Sequence, residues 1–457
     1  MQKSLFSIEE TNGWEYEKFK QSSWGQLHAV LPWSQLVELL PARKTRKGRE
    51  PYFDNQGMIA LMFLKHQTGL SDEKLIESIN HNVSQQLFCN MRLGHLELIG
   101  DTGIVSRIRS YLAHHLDLDK VQEALAQNWS SELSQPTFLK MDATCMESYI
   151  RYPTDVKLLW ECCTWVYEHI FEFRKLSDQP LGKAKDRYRE QQLKQLPYEK
   201  LKRKSYKKRR RRIRSLLNLL SNGGWLLIDV LAQDFVQNVV GTEFYHTLGT
   251  VFQILDQQRY LFENPGEKVK DRIVSLYKSY LRPIKRGKEK KTTEFGAKVH
   301  VIQVDGLCLI EHFSWNAFYE GNRFESSIEL HRKLFGECHQ VSADKAYGSN
   351  KNRKFCATEG IQAGFVGKGR KPKKEIRTLK AALNKDRATR LEGSFGNQKN
   401  HYLLRKVKAR NEHTEKLWVY FGVFTANAVW IQKKREQIKP KEKKRKAKRN
   451  VQLAIAA

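Results

Sequence analysis

Thr137 to Cys145 reads TFLKMDATC, an alternation that suits a β-strand: Phe138, Lys140, Asp142 and Thr144 point one way, and Leu139, Met141, Ala143 and Cys145 the other. An acid inside a strand is costly unless something pairs with it. Asp142 is therefore the first candidate for chemistry. The stretch follows a change of composition at Gln135-Pro136. Before it, from Trp33 to about Leu116, apolar residues recur at helical spacing, as in Gly57-MIALMFLKHQTGL, and Ser71-Asp72-Glu73 after Gly69 reads as a helix start. Ser71 to Asn90 followed by Asp101-TGIVSRIRSYLAHH gives helix, turn and helix, with Arg107 and Arg109 on the second, an arrangement that suits a DNA major groove or ordinary packing.

After the strand, the chain from Asp155 to about Tyr280 returns to helical spacing around a basic run, Leu201 to Arg214 (LKRKSYKKRRRRIR), which includes Arg209, Arg210, Arg211 and Arg212. Ten cations in fourteen residues with no acid repel one another unless phosphate is near, so the run is expected to contact nucleic acid rather than form a solvated face. Alternation resumes from Thr293 to Ile302, Asp305-Gly306 is a hairpin turn signal, and Leu307 to His312 is the return strand. A helix from Asn322 to Phe335, a strand ending at Asp344, a helix from Asn350 to Glu359 and a strand from Ile361 to Val366 follow. A mobile basic loop is expected from Lys368 to Glu375, then a helix from about Lys385 to Leu403. Without the insertion, this is the element order of the ribonuclease H-like fold, an α+β or α/β mixed sheet flanked by helices. The expected domains are a helical N-terminal DNA-binding domain (1–134), the catalytic domain (135–155 and 285–430), a helical basic insertion (156–284) and a disordered basic tail (431–457).

Composition fits a nucleic-acid partner. The 457 residues hold 81 Lys and Arg against 50 Asp and Glu, a net charge of +31 that attracts phosphate polymers. Apolar residues are only 40%, but 11% aromatics with ten Trp argue against wholesale disorder. The apolar stretches, such as Trp225 to Ala232, fall short of the roughly 18 residues of a membrane span, and MQKSLFSIEE lacks a signal core, so a cytosolic protein with no membrane partner is expected. Seven cysteines without a C-x-x-C fit a reducing compartment. Cys162, Cys163 and His169 lack a second ligand pair at zinc-finger spacing, and buried thiols are the reading taken.

Cleaving a phosphodiester without a protein nucleophile calls for two divalent ions about 4 Å apart, held by converging carboxylates. Asp142 lies in the first strand, Asp344 ends a later one, and Glu392 lies on the last helix of the sheet domain, with Lys399 two turns along the same face. In a ribonuclease H-like sheet these elements adjoin. Gly393 and Gly396 each cost a helix about 1 kcal/mol, which implies close approach to the sheet or to DNA. Asp155 in Tyr152-PTD is expected to cap a helix. Trp315 is expected in the core, with base stacking as the alternative for it and for Tyr347.

Local sequence adds a resemblance. Leu70-SDEKLIESI, Met141-DATCMESYIRYPTD, Glu294-FGAKVHVIQVDG, Ser314-WNAFYEG, Ala343-DKAYGSNKNRKFC and Leu391-EGSFGNQKNHYLL, in this order, resemble bacterial insertion-sequence transposases of the DDE type, most closely the insertion-sequence-five group. The resemblance implies Asp142, Asp344 and Glu392 as catalytic triad and ligands of two Mg²⁺ ions, with Mn²⁺ as a substitute, and Lys399 as the basic residue after the Glu. Related enzymes carry an Arg four residues before the Glu; here Ala388 stands there, flanked by Arg387 and Arg390. Implied too are binding of terminal inverted repeats in double-stranded DNA, hydrolysis at the element ends, joining of the 3′-hydroxyl to target DNA, a homodimer or larger assembly, and a bacterial, nucleoid-associated location. The rival readings are a structure-selective nuclease on the same fold and a non-catalytic nucleic-acid-binding protein derived from a transposase.

Overall fold

The computed structural model describes residues 13–42, 51–232, 240–285, 292–365 and 374–456. The chain forms two compact units: residues 1–148, 297–314 and 318–457 make the first, and 149–296 with 315–317 the second.

The first unit opens with α1 (Gly13–Gln21), α2 (Ser23–His28), α3 (Trp33–Glu38), α4 (Asn55–Thr68), α5 (Asp72–His81), α6 (Val83–Phe88), α7 (Ile104–His115) and α8 (Leu118–Trp129). Helix α4 is buried at every position from Gly57 to His66, as a helix apolar all round must be. Asp54 caps its start by accepting a 2.6 Å bond from the Gly57 amide, and Gly69, at φ 68°, closes its end. Ser71 caps α5, as its place before Asp72-Glu73 predicts. Strand β1 (Phe138–Glu147) follows; both its faces are covered, so its polar residues must find partners inside the protein.

The second unit holds α9 (Asp155–Leu176), α10 (Gly182–Lys200), α11 (Tyr206–Leu231), α12 (Thr242–Glu263) and the short β2 (Pro283–Lys285), which pairs antiparallel with residues 293–295. Its core is built from α9, α11 and α12 around Cys162, Cys163, Val166, Leu216, Leu220 and Ile254. Gly223 on α11 lets that helix close on Tyr167 of α9: a Cβ there would come within 2.5 Å of the tyrosine ring. Asp155 is not the cap. Thr154 caps α9, accepting from the Lys157 amide, while Asp155 begins the helix and pairs with Arg209 and Arg272.

The chain then enters β3 (Thr293–Val304) and β4 (Leu307–Ser314), joined at Asp305 (φ 45°) and Gly306 (φ 92°), the paired left-handed residues of a tight hairpin. After them come α13 (Phe324–Phe335), β5 (Gln340–Ser342), α14 (Asn350–Thr358), β6 (Gln362–Ala363), α15 (Lys374–Asp386), a π-helical turn (Arg387–Leu391), α16 (Glu392–His401) and α17 (Glu412–Ala456). The strand order is β4-β3-β1-β5-β6. β1 and β5 are parallel (Leu139 opposite Val341), as are β5 and β6, whereas β3 and β4 are antiparallel. This is the mixed, helix-flanked sheet that the element order predicts.

Three boundaries differ from expectation. The last strand is two residues long, and most of the basic loop expected at 368–375 lies outside the described residues. The final helix of the sheet domain begins at Lys374, ahead of the expected Lys385, and is interrupted by the π turn. Past residue 431, α17 continues as helical backbone to Ala456 where disorder was expected, in a stretch rich in Lys, Arg, Gln, Glu and Ala, all good helix formers. Among the described residues, no helix is long and apolar enough to cross a membrane.

Candidate active site

The polar face of β1 meets the 386–399 segment rung by rung. Lys140 pairs with Asp386 at 2.7 Å, Asp142 accepts from Arg387 at 2.5 Å, and Thr144 accepts from Lys399 at 2.7 Å. The period of two along the strand places these side chains on one face, and the helix supplies a partner for each. Lys140 is fully buried, so its pairing with Asp386 keeps a charge within the sheet that would otherwise be prohibitive.

Asp142 is the perturbed acid of the group. Burial pushes its carboxyl up to about 6; Arg387 and the Ala143 amide pull it down, while the nearby carboxylates of Glu320 and Asp344 push it further up. Arg387 lies between two of the expected acids, with Nη1 2.5 Å from Asp142 Oδ2 and 3.7 Å from Glu392 Oε1. Asp344 is exposed at the end of β5 and accepts from the Lys345 amide, opening the 3-10 turn Lys345–Tyr347.

A π turn, Arg387–Leu391, carries both arginines that flank Ala388. An α-helix stacks residues four apart, but a π turn closes its hydrogen bonds over five. It therefore gives Arg387, five residues ahead of Glu392, the place that an uninterrupted α-helix gives to residue 388. Arg390 points elsewhere: it is exposed and pairs with Asp386 at 2.9 Å.

Behind Asp344, Tyr347 is buried, so it belongs to the core and not to a base-stacking surface. Its hydroxyl meets His300 Nε2 at 2.7 Å, His300 Nδ1 meets Glu311 at 3.0 Å, and Glu311 is clasped by Arg323. Trp315 packs against Tyr280 at 4.6 Å in the second unit. Glu320, paired with Lys298 at 2.8 Å, was not among the expected acids, although the Ser314-WNAFYEG block contains it. Gly393 and Gly396 do not approach the sheet: a Cβ on either would meet nothing within 4 Å. They leave an open strip beside Glu392.

The expected DNA contacts divide into two kinds. Arg107, Arg209 and Arg211 are exposed, Arg107 paired with Asp101 and Arg209 with Asp155, and Arg210 lies over the Phe262 ring at 4.3 Å. Arg109 and Arg212 turn inward instead. Arg109 donates to both carboxylate oxygens of Asp72 at 2.9 Å and lies over Trp418. Arg212 donates to Gln195 and to the side chain and carbonyl of Gln191, tying α11 to α10. Cys162 and Cys163 are buried free thiols, and His169 meets the Trp165 carbonyl.

Among the described residues, no three His, Cys, Asp or Glu side chains stand together closely enough to hold a metal ion. The chemistry of the acids nevertheless suits a hard cation. Their oxygens are the donors that Mg²⁺ takes, and Asp142, its pKa raised chiefly by burial, has the Arg387 guanidinium as its counter-ion.

The fold is a mixed parallel and antiparallel sheet flanked by helices, behind a helical N-terminal region. Residues 14–111 match the family described as Transposase domain (DUF772), and residues 341–425 the family described as Transposase DDE domain. The chain thus carries a DDE transposase domain and is an enzyme of DNA strand cleavage and transfer. Searches of curated proteins and of solved structures found no match. The DDE match contains Asp344, Arg387, Glu392 and Lys399; Asp142 precedes it by about 200 residues in the chain and is brought beside it only by folding.

Proposed function

We propose that the protein is a transposase of an insertion sequence of the insertion-sequence-five group. It binds the element's terminal inverted repeats, hydrolyses a phosphodiester at each end and joins the freed 3′-hydroxyl to target DNA, working as a homodimer or larger assembly on the bacterial nucleoid. The observation that carries this reading is the convergence of Asp142 and Glu392 on one guanidinium, Arg387, with the Asp344 carboxylate near enough to raise the Asp142 pKa, in a chain with a DDE domain match.

Asp142, Asp344 and Glu392 would hold Mg²⁺, with Mn²⁺ as a substitute, and the bound ions supply activation of water or the 3′-hydroxyl and neutralisation of the leaving oxygen. This chain's own groups do the rest. Lys399 and Arg387 hold α16 and the π turn against β1, so the acids keep their relative places. Lys399 also serves the phosphate beside the scissile one, and Arg390, exposed one turn from the open glycine strip, steers the backbone. Residues 1–134, the exposed Arg209 and Arg211 of the 156–284 insertion and the half-buried Arg210 add further phosphate contacts.

Incubating the protein with DNA bearing the element ends and Mg²⁺ tests this. Nicks at the ends followed by joined products are expected. Nicks without joining would make it a nuclease, and binding alone would make it a non-catalytic relative.

A further inference from the structure

In the first unit, a cleft of about 700 Å³ opens between the ends of α4, α5, α7 and α17, lined among others by Lys65, Asp72, Arg109, Lys408, Arg410 and Trp418. Its charge is out of balance. Lys65 (2.7 Å) and Arg109 (2.9 Å), both buried, share the single carboxylate of Asp72, while Lys408 and Arg410 are exposed and Glu73 is the other acid of the lining. Four cations thus face two carboxylates. Burial pulls the Lys65 amine below its ordinary range; Asp72 opposes this, and Arg109 and Lys408 add to the pull.

Two further features point to an anion. Arg109 and Lys65, only 7% and 4% exposed, line the floor of the cleft, so two cations largely removed from water rely there on one carboxylate. Three helices also begin at the rim, α5 after Ser71, α7 after Gly103 and α17 after Asn411, so their positive ends add to the side-chain charge. The ring of Trp418, against Arg109 at 4.9 Å and Lys65 at 5.7 Å, walls the cleft and holds both cations in place.

We propose that this cleft is a phosphate-binding site that grips the sugar-phosphate backbone of DNA, with Arg109 and Lys65 at its floor and Lys408 and Arg410 at its mouth. The DNA source rests on the transposase reading; the phosphate chemistry rests on the cleft. Arg109 then has a role that the groove-reading helix did not foresee: it contacts backbone from within a pocket instead of reading base edges, which positions the duplex without selecting sequence.

The test uses the full-length protein and the double variant Lys408→Gln/Arg410→Gln, which leaves the buried pairs untouched. Without divalent metal, inorganic phosphate at an ionic strength matched with chloride should raise the wild-type thermal midpoint by about 2 °C or more, and the variant should lose that rise. Duplex affinity should fall, and the slope of log affinity against log salt should flatten by about 1.8, at about 0.9 per lost contact. Duplex binding with the same slope in both proteins, together with an equal response to phosphate, overturns the cleft and leaves the DNA reading standing. Phosphate stabilisation that depends on the two residues, in a protein that binds no duplex, upholds the phosphate site and overturns the DNA reading.

Discussion

Lys399 Nζ donates a 2.7 Å hydrogen bond to Thr144 Oγ1, tying the helix that bears Glu392 to the strand that bears Asp142. Lys399 is therefore not an ordinary exposed helix lysine. Lys399→Ala should cost about 1 kcal/mol of stability and reduce both cutting and joining, on the order of a hundredfold if Glu392 moves by about 1 Å. Thr144→Val separates the two roles of the lysine. If the clamp matters, this variant shows much of the same loss in single-turnover cleavage; wild-type rates for it would leave only the phosphate contact.

Asp344→Asn and Glu392→Gln should each abolish strand cleavage while duplex affinity stays within about twofold, because these carboxylates serve the reaction and not the backbone contacts. Asp142→Asn should do the same. Gel-based cleavage and binding assays run side by side check this, and a variant that still cuts at near wild-type rate removes its residue from the triad.

Arg387 is the counter-ion of a mostly buried acid, so removing it alone should be worse than removing both partners. Arg387→Ala is expected to cost about 3 kcal/mol by leaving Asp142 unpaired, and Arg387→Ala with Asp142→Asn markedly less. A double-mutant cycle by denaturant titration measures the coupling. Additive costs would show that the 2.5 Å contact is energetically silent.

The basic run should split by position. Arg211→Gln is expected to leave stability unchanged and to flatten the salt dependence of DNA binding by about 0.9. Arg212→Gln should lower stability by about 2 kcal/mol, because three hydrogen bonds from a buried guanidinium are lost. Thermal melts and salt titrations of the two single variants decide the matter; equal behaviour would contradict the inward placement of Arg212.

His66 sets an acid limit on the fold. It is buried, one ring nitrogen meets the Tyr402 carbonyl, and burial, reinforced by Arg109 and Lys65, lowers its pKa to about 3. The unfolded chain takes up this proton near pH 6.5, so the stabilising effect is complete above that value and is lost as pH falls toward 3, at about 1.4 kcal/mol per pH unit. His66→Gln should flatten the stability profile between about pH 6 and pH 4 by close to one proton. An unchanged slope would mean that His66 is protonated in the folded protein.

Much of the architecture is written locally. The alternation around Asp142, the Asp305-Gly306 turn, the Ser71 cap and the strand and helix order follow from backbone stereochemistry and from periods of 2 and 3.6, which need only neighbours in sequence. The acid-bearing elements were legible for the same reason. Where each cation points was not. Arg109 and Arg212 look like their exposed neighbours in sequence, and only Asp72, 37 residues away, and Gln191 and Gln195, on another helix, turn them inward. The π turn that carries Arg387, the partner of Asp142 on β1, breaks the helical period by one residue, a shift that no local pattern announces. Asp142 and Arg387 are 245 residues apart. The burial that pushes the acid to about pKa 6, and the guanidinium that opposes it, exist only once the sheet and its crossing helix have closed on each other, since a charge acts on another through distance in space and not along the chain.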